Sequence, residues 1–350
     1  MSTEIAAERG SLAKATAATR IDALDGVRGL AIVFVLIGHY LPNHAVHGFA
    51  ATLLYPFGTG GVMLFFFLSG FLIERNLSRG PPLALYALRR LCRIMPAYWV
   101  SLVVLLAVQF LGNGRITSDL REFVINALLV QDVLRAPLMN GVFWTLLVET
   151  KFYALAPLVT RLGAPAIVIA PYIAIALNAM IAIRRGGEAS NLLNFMTHCL
   201  VGMNFSLWFR GGLSTNALVA LVVTAAIAVA TMLPSTPYAL AAFLLLNAAI
   251  LGAALMCGLK SAPLAFAGRV SYSWYLYHSG IGYPLMAWLE APAIGLHPVL
   301  SVAIGAAVTL LVSWISLRLI EEPCIELGRR FEQRWKLRFT GKTAPKVAAE

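Results

Sequence analysis

The chain has 350 residues, of which 59% are hydrophobic and 12% charged, with a mean hydropathy of +0.79. Soluble domains run nearer ~45–50% apolar and ~25% charged, so this excess excludes a soluble globular protein and points to a polytopic membrane protein. The net charge of +11 comes from 27 Lys and Arg against 16 Asp and Glu; the basic residues gather in loops and toward the C-terminus, as anionic lipid and the positive-inside bias produce, and do not interleave with aromatics outside the apolar segments as a nucleic-acid surface would.

Residues 1–23 are polar or small, and the apolar run after them begins too late for a signal peptide and has no A-x-A site at its end. The expectation is a cytoplasmic N-terminal tail followed by a retained first span over 24–42. That span carries Arg28 and His39, both costly against lipid. They are eleven residues apart, close to three helical turns, so they share one face about 16 Å apart along the axis. Arg28 alone reads as a positive-inside anchor, whereas an ionisable group at the depth of His39 is a functional candidate by default. Together they suit a phosphate-bearing donor docked on arginine, with its reactive end reaching a histidine general base. His44 and His47 follow, but Pro42 interrupts the helix and no acid stands nearby, so they read as outer-loop residues and not as a metal site.

The second span, 58–75, contains the pair Ser69-Gly70, which reads first as close helix packing. A contact of the Ser69 hydroxyl with a thioester or with the histidine is the alternative. Arg89, Arg90 and Arg93 precede and open the third span, 94–112; Arg90 and Arg93 share one side of the helix. Segment 121–134 is short and charged, hence an interfacial or re-entrant helix. The fourth span, 142–161, holds Glu149 near its middle, where a carboxylate needs a partner: His39, His278, an arginine or Lys151. Trp144 and Tyr153 are expected to pack and to anchor at the interfaces.

Further spans are expected at 164–183, 191–209, 215–234, 237–258, 272–290 and 296–319. Asn178, Asn194, Asn204 and Asn247 read as interhelical hydrogen-bonders. His278 is placed about two turns into the 272–290 helix, among Tyr272, Tyr275 and Tyr277. Glu322 closes the last span and should pair with a basic neighbour. Cys92, Cys199, Cys257 and Cys324 have no C-x-x-C spacing and read as small buried hydrophobes. The architecture expected is therefore all-α: a polytopic membrane helical bundle of about ten transmembrane helices, with a membrane domain over 24–322 and a basic cytoplasmic tail over 323–350. With the N-terminus inside, Arg75, Arg79, Arg89, Arg90, Arg93 and the basic C-terminal residues fall on the inner side, while Arg115, Arg121, Arg135, Arg184 and Arg185 fall outside. This asymmetry places both termini in the cytoplasm.

Six segments resemble the signatures of one family. They are IDALDGVRGLAIVFVLIGHY with its Arg, ten residues, then His; FFFLSGFL at Phe65–Leu72; LRRLCRIMPAYW at Leu88–Trp99; FWTLLVETKFYALAPL at Phe143–Leu158; GRVSYSWYLYHSGI at Gly268–Ile281; and EEP at Glu321–Pro323. In that order they resemble the acyltransferase-3 family of integral membrane O-acyltransferases, over most of the chain. Thr150-Lys151 stands where a second acid or Gln is more usual.

The resemblance implies transfer of an acyl group, most often acetyl, from cytoplasmic acyl-CoA to a hydroxyl, in a bacterial-type inner membrane, without a metal. It implies His39 as general base, a covalent acyl-histidine relay being less economical, and Arg28, Arg90 and Arg93 as the CoA cradle, with Ser69 beside it. Glu149 and His278 would support the site; His278 could orient Glu149, bind the donor or relay a proton. The acceptor implied is a saccharide or lipid-linked saccharide of the cell envelope, with a macrolide-type small molecule as alternative. A transporter is the reading from another class, against which stand the lack of repeat symmetry and the concentration of arginines on one side. The sequence ends soon after the last span, so the membrane domain is expected to complete transfer alone or with a separate partner.

Overall fold

The computed structural model describes residues 23–185, 190–232, 237–257 and 261–340. Residues 1–22 of the expected N-terminal tail, 341–350 of the C-terminal tail, 186–189 of the Arg184–Arg185 loop and the ends of two expected spans lie outside the described residues.

The described residues form helices joined by turns and loops, without strands. Helix α1 covers 23–40 and runs into a π-helical turn, Leu41–Ala45. Pro42 is the physical reason for that turn: it lacks an N–H and its ring would strike the carbonyl one turn back. There follow α2 (Phe49–Leu77), α3 (Leu83–Asn113), the short α4 (Leu120–Ala127), α5 (Trp144–Arg161), α6 (Ala164–Arg184), α7 (Asn191–Phe209), α8 (Thr215–Met232), α9 (Pro237–Cys257), α10 (Ala262–Gly280), α11 (Gly282–Glu290), α12 (Pro298–Ser316) and α13 (Glu322–Thr340). A second π turn, Leu317–Glu321, joins α12 to α13, with Pro323 two residues beyond its end.

Among the described residues seven helices are long and apolar enough to cross a membrane: Ala23–Ala45, Phe49–Leu77, Leu83–Gly112, Gly141–Arg161, Ala164–Arg184, Ala239–Cys257 and Pro298–Trp335. The other expected spans fall on α7, α8 and the α10–α11 pair. The expected 272–290 helix is divided in two: α10 starts ten residues earlier, where Ser261 accepts a hydrogen bond from the Leu264 N–H, and it breaks at Ile281. His278 therefore stands at the end of α10, not two turns into a helix. Asp119 caps α4, and the segment turns back along α3. There the Tyr98 hydroxyl donates to the Asn126 carbonyl at 2.9 Å and the Trp99 indole to the Ala127 carbonyl at 2.9 Å.

Two backbone contacts build the centre. On α1 and α10, a Cβ at Gly29 would fall on the Leu264 carbonyl and one at Gly268 on the Asp25 carbonyl. On α2 and α7, a Cβ at Gly70 would fall on the Cys199 carbonyl and one at Gly202 on that of Phe67. Bare glycines let these backbones touch, which is how helices associate where apolar burial gives no advantage over lipid. The pair α2–α7 has the most extensive contact between any two elements from α2 onward. Asn178 on α6 donates to Asn194 on α7 at 2.5 Å, and Asn204 on α7 to the Ile167 carbonyl at 2.8 Å, as expected of interhelical hydrogen-bonders. Asn247 on α9 instead is buried without a hydrogen-bond partner. Cys199 is buried, but Cys257 is exposed at the end of α9, so the cysteines do not share one role.

Candidate active site

Because α1 and α10 touch along their backbones, His39 and His278 meet. His39 Nδ1 lies 2.8 Å from His278 Nε2, with the rings stacked at 5.0 Å. His278 is fully buried, and its Nδ1 is 2.7 Å from the Tyr275 carbonyl. A carbonyl can only accept, so for neutral rings the proton positions follow. His278 carries its proton on Nδ1 and offers a lone pair at Nε2. His39 Nδ1–H donates to that lone pair, which leaves His39 Nε2 as a free base. That nitrogen faces α2, where a Cβ at Gly58 would lie 3.2 Å from it. The Tyr40 hydroxyl donates to the His278 carbonyl at 2.7 Å, fixing the pair from behind.

A cavity of about 90 Å³ lies between α1, α2, α3, α5 and α10. Arg28, Arg90 and Arg93 line it, as do Ser69, Glu149, Tyr153 and Tyr275. Arg28 is held by Asp25 at 3.7 Å. Arg90 lies over the Tyr153 ring at 5.8 Å, and its Nε is buried without a hydrogen-bond partner. Arg89 turns away, gripping Glu332 on α13 with two hydrogen bonds of 2.8 and 2.5 Å. Three arginines from two helices, one with an orphaned donor, form a place fitted for an anion with several charges. At the other side of the cavity stands Tyr275, whose own carbonyl orients His278. Its hydroxyl donates to the Val142 carbonyl at 3.2 Å and lies 3.0 Å from that of Thr145.

Glu149 does not meet a histidine. Its carboxylate accepts from the Tyr153 hydroxyl, and from the Ser69 hydroxyl at 3.3 Å. Lys151, the other neighbour considered, pairs with Asp132 in the turn after α4. The orienting group behind the histidines is thus a backbone carbonyl, and the carboxylate sits instead in the arginine-lined cavity. The Ser69-Gly70 pair divides its work: Gly70 packs on α7, and Ser69 faces the cavity. Tyr153, expected as an interface anchor, lies in the cavity because one helical turn separates it from Glu149. That i, i+4 spacing was the signal available in the sequence.

Sequence reasoning also missed Glu321. It is buried, accepts from the Ser273 hydroxyl, and is brought inward by the π turn. Its neighbour Glu322 faces out and pairs with Arg318 at 2.9 Å, as expected. Glu74, fully buried on α2, pairs with Arg210 at 3.1 Å. His44, expected in an outer loop, belongs to the π turn and lies 3.1 Å from both Glu290 carboxylate oxygens.

The family model described as an acyltransferase domain matches residues 21–318. No curated protein and no solved structure shows significant similarity to the chain.

Proposed function

The chain belongs to the acyltransferase-3 family and is an integral membrane acyltransferase, and from that premise we propose that it moves an acetyl group from cytoplasmic acetyl-CoA to a hydroxyl of a cell-envelope saccharide. The observation that carries this reading is one continuous arrangement. A cavity lined by Arg28, Arg90 and Arg93 ends at Tyr275, whose carbonyl sets the tautomer of the His278–His39 pair.

In this reading both termini are cytoplasmic and the membrane is a bacterial-type inner membrane, so the arginines lie toward the cytoplasm. They hold the CoA phosphates, and the pantetheine arm extends along α1 over the ~16 Å from Arg28 to His39. His39 Nε2 takes the proton of the acceptor hydroxyl as its oxygen attacks the thioester carbonyl. The C–O bond forms, the C–S bond breaks, and the proton passes from His39 to the departing CoA sulfur. His278 offsets the positive charge on His39 by accepting from its Nδ1–H. Ser69 and Tyr153 hold Glu149 by hydrogen bonds within the cavity, where its charge balances the arginines between turnovers.

The test is transfer of label from [14C]acetyl-CoA to a mixed envelope saccharide extract by purified protein in lipid nanodiscs. The expected result is alkali-labile label in the saccharide fraction. Protein that binds no CoA and transfers no label would overturn the proposal.

A further inference from the structure

Each histidine of the pair is followed at once by a change of backbone. After His39 comes the π turn Leu41–Ala45, and after His278 comes the short helix α11. One pair of titratable side chains ties these two segments together. His44 in the π turn has its Nδ1 3.1 Å from each carboxylate oxygen of Glu290, the last residue of α11. A carboxylate accepts, so the His44 Nδ1–H donates to it. Both side chains are largely shielded, at 12% and 24% accessible.

The tie reaches His39 through Tyr283. Pro42 has no N–H to offer the helix, so the end of α1 leaves the regular ladder and side chains hold it. The His39 carbonyl accepts from Asn43 Nδ2 at 2.5 Å and from the Tyr283 hydroxyl at 3.4 Å. The Tyr55 hydroxyl on α2 donates to Asn43 Oδ1 at 3.1 Å. The Tyr283 ring is stacked on His44 at 5.9 Å and meets Tyr40 edge-on at 5.9 Å. Tyr283 and Glu290 are seven residues apart on α11, close to two turns, so both stand on the face that His44 meets. Releasing His44 from Glu290 therefore loosens Tyr283 and one of the holds on the His39 backbone.

We propose that His44 and Glu290 are positioning residues for acyl transfer: their hydrogen bond clamps α11 onto the π turn and so fixes the end of α1, where His39 holds its Nε2 against α2. This role rests on the acyltransfer reading above. The two residues act through Tyr283 and the His39 backbone, not on the reacting atoms. The tolerance there is small. A Cβ at Gly58 would lie 2.9 Å from His39 Cδ2, and one at Gly38 would fall on the Gly58 nitrogen, so the imidazole fills the gap between α1 and α2. A shift of about 1 Å at a reacting group can cost about 100-fold in rate. The arginines stand toward the opposite end of α1 from the clamp, so the clamp bears on kcat and not on donor affinity.

The test uses the full chain in nanodiscs, with [14C]acetyl-CoA and the envelope saccharide extract. Wild type is compared with His44→Ala, Glu290→Ala, the double variant, and His44→Gln, whose amide can still donate to Glu290. The expected result is kcat lowered about 10–100-fold in each alanine variant, no further loss in the double, and unchanged KM for acetyl-CoA and unchanged CoA binding by calorimetry. His44→Gln recovers part of the rate. Amide hydrogen exchange over residues 41–46 rises in His44→Ala and falls back in His44→Gln, a readout that needs no turnover. Wild-type kcat in both single variants, losses that multiply in the double, or no recovery in His44→Gln overturns the positioning role while leaving the acyltransfer reading intact. Wild type that binds no CoA and transfers no label overturns the acyltransfer reading, and this role with it.

Discussion

The chemistry of the proposed site depends on which nitrogen of each imidazole carries a proton, and one backbone atom decides it. The Tyr275 carbonyl accepts from His278 Nδ1, and the consequence passes through His278 to free the far nitrogen of His39. His278→Ala should therefore lower kcat by about 100-fold, the lower range for loss of assisted proton transfer, without weakening CoA binding. His278→Gln should recover part of the rate, because its side-chain oxygen can stand where Nε2 accepts. A rate unchanged by the alanine substitution would show that the pair is structural. The arginines act on the other substrate. Arg90→Ala should weaken CoA binding by about 1.5–3 kcal/mol, read by calorimetry, as expected for losing hydrogen bonds to a charged group. Arg89→Ala should leave CoA binding alone, since Arg89 is engaged by Glu332.

At the scale of elements, the site depends on how closely α1 and α10 approach. Gly29→Val or Gly268→Val must push the two backbones apart, because the added atoms would meet the carbonyls of Leu264 and Asp25. Overpacking of this kind costs about 1–3 kcal/mol, and here it also parts the histidines. A lowered Tm in nanodiscs together with lost turnover is the expected outcome for each. Hydropathy made most of these elements legible beforehand: the apolar runs of α1, α2, α3, α5, α6 and α12 each stand where a span was expected. The break at Ile281 is marked by Ser279-Gly280, Gly282 and Pro284, a signal that hydropathy passes over because YLYHSGIGYPLMAWL is apolar on both sides of it. The beginning of α10 at Ala262 is likewise set by a serine cap and Pro263, which hydropathy does not register. The meeting of His39 with His278 is a tertiary fact across 239 residues, and no local pattern encodes it. What the sequence did carry was the Arg28–His39 register and the shared side of Arg90 and Arg93, because both follow from helical periodicity alone.

At the scale of the whole molecule, a donor docked on the arginines that line the cavity between α1, α2, α3, α5 and α10 requires a definite orientation in the membrane. In a cysteine-free background, His47→Cys should react with a membrane-impermeant thiol reagent added outside intact cells. Arg121→Cys should do the same, and Arg318→Cys should react only after the cells are opened. The opposite pattern would place the arginines on the outer side and remove cytoplasmic acyl-CoA as the donor.

The measurement that bears most directly on the account is acetyl-CoA turnover beside CoA binding, made on wild type, His39→Ala and Arg28→Ala in nanodiscs with the saccharide extract. The account predicts that wild type releases CoA, that His39→Ala binds CoA normally but releases none, and that Arg28→Ala loses binding first. Turnover that survives both substitutions would contradict the assignment of donor docking to Arg28 and proton transfer to His39.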